Sequence, residues 1–141
     1  MKQIVKLAAA AAAGACAAGT IVYAQAPAAP PRSVVAIYHA APGQQEALLR
    51  WLAAQDRASQ AAGLPAGQLY IHTDGDSWDY LGISPMTTPA QDDAVDAAAK
   101  KMGLATGARR ALEFRKMIAS HTDTYTIGPI TADQAVASIG R

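Results

Sequence analysis

Cysteine is almost missing from this chain: its 141 residues hold one, Cys16. Acidic charge is missing from the whole N-terminal third, where the first carboxylate is Glu46. Phenylalanine occurs once, and basic and acidic residues nearly cancel at a formal charge of +1. These shortages exclude more than they suggest. A near-neutral chain has no electrostatic footprint for nucleic acid or for an anionic membrane surface. No glycine-rich loop is built to cradle a phosphate, and no serine sits in a nucleophile motif. No two of the three histidines are at the short spacing of metal ligands. Asp74-Gly75-Asp76 lacks the further oxygen donors of a calcium loop and reads as a hairpin turn.

The first residues account for much of this. Lys2 and Lys6 precede an alanine-rich apolar run from Leu7 to Val22, and small residues follow at Ala24 and Ala26. This is the pattern of a cleavable secretory signal peptide, 1–24, with cleavage before Gln25. The run is short and small-sided for a membrane span, although an uncleaved N-terminal anchor is the alternative. Cys16 lacks the large aliphatic residue three positions earlier that lipoprotein processing favours. Removing 24 of the 141 residues leaves 117, with ten basic residues against eleven acidic and no cysteine. Disulfides, thiolate catalysis and cysteine-ligated metals are thereby excluded from the mature chain. The expected location is the periplasm or outside the cell, with no membrane association after cleavage.

The mature chain begins with a proline-rich leader, 25–32, that has little to bury. A domain, 33–130, follows, and then a C-terminal tail, 131–141, that adds a last helical turn or frays. Within the domain, Val34 to Tyr38 is a β-branched apolar run and reads as a strand. Pro42-Gly43 breaks it, and 44–62 is free of proline and glycine, with Leu48, Trp51 and Leu52 on one helical face. Gly63 stands where a left-handed helix cap belongs, and Pro65 prevents continuation. Gln68–Thr73 and Ser77–Ser84 alternate around Asp-Gly-Asp and read as a hairpin. Thr88, Pro89 and Gln91 mark a second helix start, with Asp92, Asp93 and Asp96 favouring its dipole. This helical region is expected to reach about Ser120, broken or bent at Gly103 and Gly107. Thr122–Ile127 supplies a last strand. The order β-α-β-β-α-β is α+β and ferredoxin-like: a four-stranded antiparallel sheet with two helices on one face.

Tyr38-His39-Ala40-Ala41-Pro42-Gly43 and Ser77-Trp78-Asp79-Tyr80-Leu81-Gly82-Ile83 give the chain a likeness over 33–130. The first is a strand running into Pro-Gly and a helix, and the second an acidic-aromatic strand after an Asp-Gly turn. Together they resemble the dimeric α+β barrel superfamily, which includes antibiotic-biosynthesis-type monooxygenases, stress-responsive barrel proteins and NIPSNAP-like proteins. The resemblance implies a homodimer whose sheets pack face to face, and a ligand cavity between each sheet and its helices. A bare sheet face is the physical reason for pairing.

The candidate site residues follow from this placement. His39 and His121 should meet at one edge of the sheet, with His72 and Trp78 at the opposite edge. A histidine in a cavity can act as a general base or as a haem ligand. Tyr38, Tyr80 and Tyr125 can donate hydrogen bonds to a substrate, and Trp78 can line a pocket. If Thr73 pairs with Ser77, Tyr70 faces Tyr80 and His72 faces Trp78. The plainer alternative makes His39 and His121 strand-end residues bonded to water or backbone. No cofactor is required and no metal site is expected, haem being the one exception the resemblance allows. The expected function is that of an exported homodimer binding a hydrophobic or aromatic ligand. The alternative is a cofactor-independent monooxygenase-like enzyme, in which an aromatic substrate itself supplies electrons to oxygen.

Overall fold

The computed structural model describes residues 31–75 and 77–139. The expected signal peptide, 1–24, and most of the expected leader therefore lie outside the described residues. The elements are β1 (Arg32–Ala40), α1 (Gln45–Ala61), β2 (Gln68–Ile71), β3 (Tyr80–Pro85), α2 (Pro89–Lys101), α3 (Gly107–Arg115), β4 (Ile118–Ile127) and α4 (Ala132–Ile139). The strands form one antiparallel sheet in the order β2-β3-β1-β4. The chain has the ferredoxin-like fold. Among the described residues no helix is long and apolar enough to cross a membrane.

Local chemistry explains where the helices stop and start. After α1, Gly63 takes φ +85°, its N–H reaching the Gln60 carbonyl and the Leu64 N–H the Ser59 carbonyl. That is the paired-bond cap glycine allows at little conformational cost. The same two bonds recur at Gly103 and Leu104, so α2 ends there and the second helical region is split into α2 and α3. At the start of α2 the Gln91 N–H donates to Thr88 Oγ1, and the Thr88 N–H donates to Gln91 Oε1 at 2.8 Å. Arg110 of α3 donates to Asp96 of α2 at 2.7 Å, tying the two helices together. The core is thin: Ala36, Ala40, Leu48, Ala58, Tyr80 and Ala99 are its buried apolar residues. Leu48 is the one large side chain among them that is fully enclosed.

Four expectations change. The second helical region does not reach Ser120: α3 stops at Arg115, and β4 begins at Ile118 because its first residues pair with Ala40 and His39. The hairpin strands are shorter than their alternation suggests, with 72–79 connecting them. Their register is also displaced by one residue. Tyr70 lies opposite Leu81 and Ile71 opposite Tyr80, so Tyr70 and Tyr80 are on different faces. The slip has a tertiary cause. Tyr80 is buried against Leu48 and Ala40, and its hydroxyl donates to the Gln45 carbonyl at 3.0 Å. A one-residue shift would turn it to the other side of the sheet. Finally, His72 and Trp78 are not at the opposite edge from His39 and His121. Because β3 runs antiparallel to β1, the hairpin connection lies beside the C-terminal end of β1, where His39 Nδ1 donates to the Ser77 carbonyl at 3.1 Å.

Candidate functional site

Alternation along β1 divides the sheet. Ala36, Tyr38 and Ala40 face the helices, while Val35, Ile37 and His39 face away. The register carries this across the neighbouring strands: Tyr80 and His121 flank Tyr38, and Gly82 and Asp123 flank Ala36. On the helix side, α1 closes over β1 and β3 at Leu48 but stands off further along. A cavity of about 260 Å³ remains there. Its floor is Ala36, Tyr38 and Gly82, its wall is Leu49, Leu52 and Ala53 of α1, and Leu69 and Asp56 lie at its rim with Gly67.

Two polar groups of the lining, which also includes Gln68 and Ser84, have contrasting states. Asp56 accepts the Gly67 N–H at 2.9 Å and the Gln60 side-chain amide at 2.7 Å, so both carboxylate oxygens are engaged in fastening the loop before β2 to α1. Tyr38 differs: its hydroxyl makes no hydrogen bond to any described residue. Burial, and secondarily the charge of Asp123, push its pKa up to about 12. It is therefore a neutral phenol throughout the physiological range. Its ring is held edge-on to Phe114 with centroids 6.0 Å apart, and stacked on His121 at 6.4 Å. Phe114 in turn stacks on Trp51 at 4.9 Å. An aromatic layer thus fixes Tyr38 from behind.

Of the residues singled out in the sequence, Tyr38 alone lines this cavity. His121 backs Tyr38 from the cross-strand position, with Nε2 3.6 Å from Asp123 Oδ2. His39 is on the opposite face and does not share a pocket with His121. Tyr80 is a core residue with its hydroxyl committed to Gln45. Trp78 packs against His72, with ring centroids 5.2 Å apart, in the connection between β2 and β3. Tyr125 is 69 % exposed on β4. Sequence reasoning did not mark Gly82, Asp56 or Phe114. A glycine inside a strand was the one available signal, since it often marks close approach of a ligand or another backbone. Among the described residues no group of three histidine, aspartate or glutamate side chains is placed to hold a metal ion.

No protein-family model matches the chain, and no curated protein matches it. Solved structures that are similar in shape include the following two. PA3566 from Pseudomonas aeruginosa is 20% identical with a TM-score of 0.45, over 72% of this chain and 96% of that one. A dimeric protein of unknown function and ferredoxin-like fold from Bacteroides fragilis is 11% identical with a TM-score of 0.39, over 69% of this chain and 95% of that one.

Proposed function

We propose that this chain is an exported homodimer of the dimeric α+β barrel type that binds a small hydrophobic or aromatic ligand between its sheet and α1. The observation that carries the binding reading is the apolar cavity of about 260 Å³ over Gly82. An engineered cavity of about 150 Å³ lined by apolar side chains takes up benzene, so this one has room for one or two rings. A haem does not fit it: the macrocycle exceeds the drug-sized ligands that occupy pockets of about 300 Å³ upward, and no histidine lines the cavity. Binding is favoured over oxygenase chemistry for a related reason. The ionisable groups of the lining are Asp56, whose two oxygens each accept a hydrogen bond that fastens the loop before β2, and Tyr38, held neutral by burial, and no histidine stands among them to serve as a base.

The dimer reading is supported by what the sheet leaves uncovered. Val35, Ile37, Leu81 and Ile83 stand on the face that carries no helix, and Tyr70 beside them is 51% exposed. A second copy laid on this face would remove that apolar area from water. Export is supported by the N-terminal pattern of Lys2, Lys6 and the alanine-rich run. The test is to express the full chain with its N-terminus intact, sequence the N-terminus of the recovered protein, and measure its native mass with and without naphthalene. A processed dimer that takes up naphthalene is the expected result. A monomer that binds nothing contradicts the dimer and binding readings together.

A further inference from the structure

The shape and electrostatics of the cavity narrow what it can hold. Gly82 lies in the interior of β3, where glycine weakens a strand because it adds backbone entropy and no packing. Nothing in its backbone requires glycine, since it does not adopt a positive φ. A Cβ there would point at the Tyr38 ring, 3.4 Å from Cε2 and 3.8 Å from the hydroxyl oxygen. That is ordinary van der Waals contact, so a single methyl group is tolerated, whereas a branched side chain would occupy the space itself. The absent side chain of Gly82 is therefore what lets the Tyr38 ring lie low on the floor of the cavity, and a larger residue there would lift the ring into the space above.

Carboxylates stand beside the cavity, with His121 behind Tyr38 and outside the lining. Asp56 is at the rim and Asp123 lies cross-strand from Ala36. No lysine, arginine or histidine is in the lining. An anionic ligand would enter an apolar space with no cation to pair with and two carboxylates close by, which is strongly unfavourable. Among the polar side chains of the lining, Gln68 accepts from Tyr70 through Oε1, Ser84 lies beyond Gly82 along β3, and the Tyr38 hydroxyl over Gly82 makes no hydrogen bond to any described residue. We infer that the cavity selects uncharged one- or two-ring ligands bearing a hydrogen-bonding oxygen, held by the Tyr38 hydroxyl, and that Gly82 sets the ligand's size. This rests on the ligand-binding reading above and adds the chemical class and the two residues that decide it.

Three probes of nearly equal size separate the two claims: naphthalene, 2-naphthol and 2-naphthoate, titrated into the full chain by calorimetry or fluorescence near neutral pH. The expected order is 2-naphthol tightest, naphthalene weaker, and 2-naphthoate at least tenfold weaker than 2-naphthol. Tyr38→Phe should weaken 2-naphthol by about three- to tenfold, the range of one neutral hydrogen bond, and leave naphthalene unchanged. Gly82→Val should abolish binding of all three, with circular dichroism checking that the fold is kept while the Tyr38 ring is displaced. Gly82→Ala serves as the milder variant and should reduce affinity without loss of fold. If 2-naphthoate binds as well as 2-naphthol, or Tyr38→Phe affects neither neutral probe, the selectivity inference is overturned while the binding reading stands. If Gly82→Val and Gly82→Ala both bind naphthalene like wild type, Gly82 does not set ligand size and that part of the inference falls. If wild type takes up none of the probes, both the inference and the binding reading fail.

Discussion

Tyr38 makes its own environment measurable through alkaline unfolding. A phenol whose pKa is about 12 in the folded protein and about 10 when unfolded links stability to pH in a defined window. Below pH 10 both states keep the proton, and the full contribution is present. Between 10 and 12 the unfolded state has lost the proton while the folded state retains it. The unfolded state then binds fewer protons, and stability falls as pH rises. Two pKa units correspond to about 2–3 kcal/mol, a large share of the roughly 5–15 kcal/mol that holds a domain of this size together. The experiment measures urea unfolding at pH steps from neutral to 12 for wild type and Tyr38→Phe. Tyr80 is pushed in the same direction by burial and by Asp79, but it is present in both proteins and cancels in the difference. The difference curve should be flat below pH 10 and then move by about 2–3 kcal/mol against wild type. Asp123→Asn should remove only the smaller part of the effect, since burial is the larger cause. Parallel curves for wild type and Tyr38→Phe through pH 12 would refute the claim that Tyr38 is held as a buried neutral phenol.

Other substitutions probe separate parts of the molecule. Leu48→Ala empties the one fully enclosed large side chain among the described residues and should cost about 3–5 kcal/mol in chemical denaturation. A cost below about 1 kcal/mol would mean that Leu48 does not anchor α1 to the sheet. Ile37→Lys places a charge on the helix-free face, and in a twofold interface it does so twice. Native mass should shift to monomer while circular dichroism stays unchanged, and a persistent dimer would place the interface elsewhere. His39→Ala should leave naphthalene affinity within about twofold, as expected for a residue that shares no partner with the ligand. A larger loss would show that His39 reaches the cavity after all.

Much of the fold is legible from the sequence because its elements are locally specified. Thr88, Pro89 and Gln91 start α2 by satisfying exposed helix N–H groups, and Gly63 ends α1 by taking a conformation few other residues accept. The hairpin register is not local. Asp74-Gly75 allows more than one turn length, and parity is decided by whether Tyr80 reaches the Gln45 carbonyl, 35 residues away. The boundary between α3 and β4 is of the same kind. Met117 to His121 can continue a helix or begin a strand, and pairing with the end of β1 settles it. The cavity is less legible still. It exists because α1 contacts the sheet at Leu48 and stands off beyond it, and Asp56 in the sequence is one more polar residue on a helix.

One part of the site was nevertheless within reach. Tyr38 and His39 are neighbours in a strand, and neighbours in a strand point to opposite faces. They cannot both line one sheet–helix cavity, whatever the register of the other strands. A choice between them turns only on which parity of β1 is covered by helices. The run Ala36, Tyr38, Ala40 contains two small residues able to lie beneath a close-packed helix, and both are buried. The run Val35, Ile37, His39 carries two β-branched residues and is half-covered, on the face away from the helices. His39 accordingly turns its ring to the Ser77 carbonyl on the far side. In a face-to-face dimer it would lie near the rim of the interface, where its effect would be read in assembly and not in ligand affinity.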